Sequence, residues 1–228
     1  MVKVVVMCGG RGVRLRPVTD TIPKPLVMLG GKPIVHHLLE RYVQRGFREF
    51  VLCLGYRGEM VRAYFSKYSL DGNIEYSDAG EEASILERLT CARELIGQRA
   101  FVAYGDTLVN VDLAAMLKRH IELQAKATIT IAPIRSPFGL VETDAHSRVQ
   151  RFSEKPVQQY FIGHFLLEQN VLEDVPEHLI GLKDGAGLVK LFQGLSAQKD
   201  LGVFEHTGPQ ITFNTRKELE QAKTELSN

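Results

Sequence analysis

Over its first 125 residues the chain alternates short apolar runs with stretches whose apolar positions recur at helical spacing. Val2-Lys3-Val4-Val5-Val6-Met7 reads as a buried first strand. Residues 34–45 read as a helix after Pro33, 49–54 as a strand, 59–68 as a helix and 73–76 as a short strand. The alternation continues with a helix at about 83–96, a strand at 100–104 and a helix at about 113–124. Strands separated by helices predict a parallel sheet covered on both faces. After Ala127 the texture becomes strand-rich, with runs at 128–134, 140–143, 149–152 and 160–167. Thr215-Arg216-Lys217-Glu218 is a capping box that opens a last helix reaching about Leu226. The fold class is therefore α/β, a Rossmann-like mixed and mostly parallel central sheet flanked by helices.

Composition narrows the field of functions. With 228 residues and 44% hydrophobic content, the chain is long enough to bury a full core, and a single domain spanning 1–228 is the economical reading. Basic residues number 28 against 27 acidic, for a net charge of +1, so no nucleic-acid surface and no polybasic membrane contact is expected. Any anion site must be local. Cys8, Cys53 and Cys91 are scattered without a C-x-x-C, which argues against a disulfide framework or structural zinc and fits a reducing compartment. No charged-then-apolar leader precedes the first strand and no apolar run is of membrane-spanning length, so a soluble, cytoplasmic protein is expected.

The chemistry begins directly after the first strand, at Cys8-Gly9-Gly10-Arg11-Gly12-Val13-Arg14-Leu15-Arg16-Pro17, followed by Pro23-Lys24-Pro25-Leu26. Three glycines in four positions let backbone N–H groups approach an anion closely. Arg14 and Lys24 add cations able to bridge phosphate oxygens. A dinucleotide fold would need a third glycine where Leu15 stands, and no G-x-x-x-x-G-K-[ST] string occurs. The pattern resembles the signature of the sugar-1-phosphate nucleotidylyltransferases, G-G-x-G-x-R-L-x-P followed by P-K-P. Within that family Gly30-Gly31-Lys32-Pro33-Ile34, Phe50 to Gly58 and Ala103-Tyr104-Gly105-Asp106 are similar to the glucose-1-phosphate cytidylyltransferase branch.

Open α/β sheets bind ligands beyond the carboxyl ends of their parallel strands. The glycine loop falls there, and so does Gly105-Asp106, where a carboxylate facing a triphosphate calls for a hard cation between them. The resemblance implies that Asp106 holds Mg²⁺, that Gly9, Gly10, Gly12, Arg14, Lys24 and Gly80 bind the nucleoside triphosphate, and that Arg14, Lys24 and Asp106 form the catalytic set. It also implies that Glu154 and Lys155 of Phe152-Ser153-Glu154-Lys155-Pro156, together with Gly139 and Gly163, bind a phosphorylated acceptor. Adjacent strand residues point to opposite faces, so Glu154 and Lys155 reach one ligand only if the chain kinks before Pro156. On this reading residues of about 1–125 form a nucleotide-binding half and about 126–228 an acceptor-binding half of a nucleotide-diphospho-sugar transferase fold.

Two positions depart from the family pattern. Asn214 stands where many relatives carry a second metal aspartate, and it can ligate through its carbonyl without adding charge. Asp78 to Leu89 replaces a glycine-rich string and retains only Arg88-Leu89 of it. The resemblance implies a Mg²⁺-dependent transfer between CTP and a sugar phosphate. The altered segment leaves open a non-sugar phosphate acceptor such as phosphocholine or a phosphonate, and Asn214 leaves open a weakly active nucleotide-binding homologue. Homo-oligomerisation is left open as well. His36-His37 diverge by about 100° on a helix and are read as packing residues rather than a metal pair. Cys8 is read as a small buried side chain ahead of the loop.

Overall fold

A computed structural model describes residues 2–183, 185–208, 210–212 and 215–227. Its strands are β1 (Lys3–Met7), β2 (Met28–Leu29), β3 (Lys32–Pro33), β4 (Glu49–Leu54), β5 (Asn73–Asp78), β6 (Arg99–Tyr104), β7 (Thr107–Val109), β8 (Ala127–Arg135), β9 (Leu140–Thr143), β10 (Val149–Ser153), β11 (Val157–Glu168), β12 (Leu201–Glu205) and β13 (Gln210–Thr212). The helices are α1 (Ile34–Gln44), α2 (Gly58–Lys67), α3 (Ile85–Cys91), α4 (Leu113–Leu123), α5 (Glu177–Ile180), α6 (Ala186–Ala197) and α7 (Arg216–Ser227). A seven-stranded sheet runs in the order β12-β8-β11-β6-β1-β4-β5. β6, β1, β4 and β5 pair in parallel, β11 is antiparallel to both β6 and β8, and β12 is parallel to β8. The mixed, mostly parallel sheet expected from the sequence is present.

The apolar runs are strands because both of their faces are covered. Val4, Val5 and Val6 are fully buried and alternate between two cores on opposite sides of the sheet. One core gathers Ile34, Leu38 and Leu39 of α1 with Phe50, Leu52 and Leu54 of β4. The other gathers Leu86 and Leu89 of α3, Phe165 and Leu167 of β11, and Leu188, Leu191 and Leu195 of α6. Burying a leucine or phenylalanine in such a layer contributes roughly 1.5–3 kcal/mol.

The structure differs from the sequence reading in its second half and at one helix. The helix expected at about 83–96 is shorter: Ser84 caps it by accepting from the Glu87 N–H, while Glu87 accepts from the Ser84 N–H. That capping box starts α3 at Ile85, and the chain tightens after Cys91 into a 3₁₀ turn at Arg93–Leu95. Helix α6 lies where no helix was expected. Its sequence, AGLVKLFQGLSA, carries Gly187 and Gly194, which lower intrinsic helix preference, and tertiary packing compensates. Gly187 fits because it lies against the Leu179 carbonyl and Leu86, leaving no room for a side chain.

The parallel run sets the geometry of the site. Because β6, β1 and β4 are adjacent and co-directional, the chain leaves all three at one edge. The loops after Met7, Leu54 and Tyr104 converge there: the Cys8 N–H donates to the Cys53 carbonyl at 2.8 Å, the Tyr56 N–H to the Gly9 carbonyl at 3.0 Å, and the Gly105 N–H to the Met7 carbonyl at 3.0 Å.

Candidate active site

A cavity of about 960 Å³ opens at that edge. Residues 7–15 form one wall, Lys24, Pro25, Tyr104 and Asp106 the floor, and residues 81–85 with Arg88, Lys183 and Gly185 the far side. Gly9, Gly10, Gly12, Arg14, Lys24 and Asp106, separated by up to 97 positions in the chain, therefore share one chamber, and Gly80 adjoins its rim next to Glu81.

The glycine loop is shaped by contacts that larger residues could not make. Gly12 has φ +61, and a side chain there would press on Thr19 at 3.0 Å and Lys24 at 3.1 Å. Its carbonyl accepts from the Thr19 hydroxyl at 2.9 Å and from the Leu15 N–H at 2.9 Å, which closes the 3₁₀ turn at Val13–Leu15 and presents Arg14. Arg14 is exposed, lines the cavity, and is unpaired among the described residues.

Lys24 and Asp106 meet on the floor. Lys24 Nζ donates to Asp106 Oδ2 at 2.6 Å; the lysine side chain is 9% exposed and the carboxylate 30%. Asp106 Oδ1 accepts from the Thr107 hydroxyl at 3.2 Å. A charge-assisted bond this short holds both groups in one geometry. Tyr104, next to them, has its phenol pushed up to about 12, chiefly by burial and then by the Asp106 charge. The Cys8 thiol is pushed well above its ordinary value, chiefly by full burial and then by Cys53 and Asp106, which makes it a packing residue rather than a nucleophile.

Arg88, which the sequence offers only as the remnant of a family string, lies under the loop. Its guanidinium donates to the carbonyls of Leu54, Gly80 (2.8 Å) and Glu81 (3.0 Å). It is almost fully buried, and burial lowers its pKa from the usual arginine value. Gly9 and Gly55 are the positions where the backbone crosses it. Above the cavity, Arg11 forms ion pairs with Glu81 at 3.0 Å and with Glu82, joining the glycine loop to residues 80–82. Lys183, absent from the sequence reading, reaches the far wall from the α5–α6 connection. Like Arg14 it has no partner among the described residues.

The expected acceptor residues stand apart from this cavity. Gly139 approaches Glu154: a side chain at 139 would lie 3.4 Å from Glu154 Oε2 and 3.0 Å from the Phe152 ring. The kink before Pro156 exists, with Lys155 at φ +45, and Lys155 Nζ lies 3.8 Å from Glu154 Oε1, both exposed. Neither Gly139, Glu154, Lys155 nor Gly163 lines the cavity, although Gly163, at φ +77, packs on Tyr104, which does. Asn214 lies outside the described residues. β13, just before it, pairs with β7 through Thr212 and Thr107. His36 bonds Glu40 and Tyr64 while His37 bonds the Leu29 carbonyl, so the two imidazoles do diverge.

Known proteins resemble this chain in sequence and in fold. The sequence profile of the nucleotidyl transferase family matches residues 3–187. A Bacillus subtilis protein named "probable glucose-1-phosphate cytidylyltransferase" is 32% identical, over 95% of this chain and 93% of its own. A Mycobacterium tuberculosis mannose-1-phosphate guanylyltransferase is 34% identical over 77% of this chain and 51% of its own. Among solved structures, HddC from Yersinia pseudotuberculosis superposes with a TM-score of 0.76 at 21% identity, covering 99% of this chain and all of that one. The chain belongs to the nucleotidyl transferase family.

Proposed function

We propose that this nucleotidyltransferase joins a nucleoside triphosphate, with CTP preferred, to a sugar 1-phosphate, forming an NDP-sugar and releasing pyrophosphate. The observation that carries the reading is the convergence of the glycine loop, Arg14, Lys24 and Asp106 in one cavity roomy enough for two phosphorylated ligands. The preference for CTP rests on likeness to relatives named as cytidylyltransferases, from Bacillus subtilis and, at 28% identity, Salmonella typhi.

A phosphate oxygen of the acceptor attacks the α-phosphorus, a new P–O bond forms, and the bond to the β-phosphate oxygen breaks with its electron pair leaving on pyrophosphate. The nucleophile is already an anion, so the protein needs no general base; it must position two anions and neutralise them. The loop N–H groups at Gly9, Gly10 and Gly12 and the Arg14 guanidinium hold the β- and γ-phosphates. Lys24, kept in place by Asp106, bears on the α-phosphate. Lys183, unpaired among the described residues, supplies a second cation across the cavity for the other phosphorylated ligand.

Among the described residues no three His, Cys, Asp or Glu side chains converge as a metal cage. Asp106 is a single carboxylate whose Oδ2 is shared with Lys24. This suits Mg²⁺, which prefers one or two carboxylates completed by substrate phosphates and water. Asp106 would hold the ion, which supplies positive charge to the phosphate oxygens when bound.

A second reading keeps the chemistry and changes the acceptor. Glu81, Glu82 and Lys183 line the cavity while Gly139, Glu154 and Lys155 do not, a distribution that favours a smaller, non-sugar phosphate. Pyrophosphate release with Mg²⁺, each common NTP, and a panel of sugar 1-phosphates, phosphocholine and phosphonates tests both readings. Turnover with CTP and one sugar 1-phosphate supports the first, and turnover only with a non-sugar phosphate supports the second. Silence across the panel despite tight NTP binding would leave a nucleotide-binding homologue and overturn both.

A further inference from the structure

The ion pairs of Arg11 with Glu81 and Glu82 bridge two walls of the cavity, and each wall is fixed from behind. On one side Arg11 stands between Gly10 and Gly12, at a position of the glycine loop that the family signature leaves free. Behind it the Gly9 carbonyl accepts from the Tyr56 N–H at 3.0 Å, and the Tyr56 hydroxyl lies 3.1 Å from the Thr19 carbonyl and 3.2 Å from that of Asp20. The Tyr56 ring supports the Arg11 guanidinium, whose Cζ is 5.6 Å from the ring centroid. On the other side the carbonyls of Gly80 and Glu81 are held by the buried Arg88. The gap between the two backbones is therefore set, and the bridge is made or broken by side-chain rotation.

This bridge is weak and stands where a stronger partner arrives. The side chains of Arg11 and Glu81 are each 44% exposed and that of Glu82 is 83% exposed. Ion pairs so exposed contribute little. All three residues line the cavity, whose interior also carries Arg14, Lys24 and Lys183. Two carboxylates face one guanidinium, so the closed bridge keeps a net negative charge at the entrance to a site built for phosphates. An entering polyphosphate meets that charge first. The planar fork of an arginine binds phosphate as readily as carboxylate, and phosphate brings more charge. A side chain at Gly10 would meet nothing within 4 Å, so the space beside Arg11 is open for the guanidinium to turn.

We propose that Arg11 is a further phosphate-binding residue, held across the mouth by Glu81 and Glu82 until a nucleoside triphosphate takes it from them. The inference rests on the reading of the cavity as a nucleoside triphosphate site and adds to it an exchange of partners. Phosphate oxygens replace two carboxylates on one guanidinium, and the released carboxylates turn toward the solvent they already face. Arg11 thus favours the occupied cavity, while Glu81 and Glu82 favour the empty one.

Titration calorimetry of the full chain with Mg²⁺ and no acceptor, using inorganic tripolyphosphate and each common NTP in turn, reads this exchange. Tripolyphosphate has no base, so the result does not depend on which nucleotide is preferred. Glu81→Gln/Glu82→Gln should tighten binding about fivefold. Arg11→Ala should weaken it about tenfold, and Arg11→Lys should recover part of that loss. The sign of the coupling is decisive. If the carboxylates hold Arg11 away from phosphate, the gain from the Gln pair is larger with Arg11 present than in the Arg11→Ala background. If Arg11 only shields them, its removal uncovers their repulsion and the gain is larger without it, which would overturn the proposal. Weaker binding by the Gln pair would overturn it too, by making the carboxylates ligands of the base or the metal. So would an Arg11→Ala variant that binds like wild type, or one whose Tm falls by more than about 5 °C, since the bridge would then be a structural tie. A wild type that binds neither tripolyphosphate nor any NTP would instead overturn the reading of the cavity, and this inference with it.

Discussion

Replacing Gly9 with alanine asks the new methyl to occupy space held by Arg88. A Cβ at position 9 would fall 2.7 Å from Arg88 Nε and closer still to Cζ, so one of the two must move. A long side chain usually yields at little cost, but this guanidinium is buried and donates to the carbonyls of Leu54, Gly80 and Glu81. A hydrogen bond from a charged donor is worth roughly 1.5–3 kcal/mol, and displacing Arg88 should sacrifice at least one, for a cost of about 2–3 kcal/mol. In a protein of this size that lowers Tm by about 5–10 °C. Gly10→Ala is the internal control, because nothing lies within 4 Å of its would-be Cβ, and it should stay within about 0.5 kcal/mol of wild type. The decisive assay is a double-mutant cycle by urea denaturation. Arg88→Ala removes the obstacle, so Gly9→Ala should add almost nothing in that background. Equal costs for Gly9→Ala and Gly10→Ala, or additive costs for Gly9→Ala and Arg88→Ala, would refute the claim that the glycine exists to seat the guanidinium.

Arg14→Ala should lower turnover by two or more orders of magnitude while leaving Tm within about 1 °C, since the side chain is exposed and unpaired among the described residues; near wild-type pyrophosphate release would remove it from the mechanism. Lys183→Ala should raise KM for one substrate about tenfold or more with kcat nearly unchanged, as expected for a lost charge-assisted contact, and unchanged KM values for both substrates would count against it. Burial holds His164 down to about 4, from an ordinary 6.5, so the folded state keeps it neutral while the unfolded chain takes up a proton. Stability is therefore intact above pH 6.5 and falls as pH drops toward 4, by about 3 kcal/mol over the full window (2.5 units at 1.36 each) and about 2 kcal/mol between pH 7 and 5. Urea unfolding at those two pH values checks the slope, which His120, also lowered by burial, steepens in the same direction; a flat profile would show that His164 is solvated.

Much of the fold was legible because its signals are local. The period of the apolar residues located β4 and β9 at their observed ends and α1 and α4 to within a residue or two. The glycine loop and the Thr215–Glu218 capping box, in which the Glu218 N–H donates to Thr215 Oγ1 at 3.3 Å, are likewise written in consecutive residues. Helix α6 was missed because its glycines weaken the local preference and its stability comes from Leu86 and Phe165, elements remote in sequence.

By itself, then, the sequence determined the strand and helix alternation, the glycine-rich loop of residues 8–17 that follows β1, and the presence of Asp106 after a strand. Tertiary structure alone decided which charges are partners. Lys24 meets Asp106 across 82 positions, Arg11 meets Glu81 across the cavity mouth, Arg88 lies beneath Gly9, and Lys183 enters the site while Glu154 and Lys155 stay outside it in the β10–β11 connection. The reason is physical. Backbone periodicity and capping depend on neighbours within a few residues, whereas strand order decides which chain ends share an edge, and that order emerges only when the whole sheet buries both of its faces.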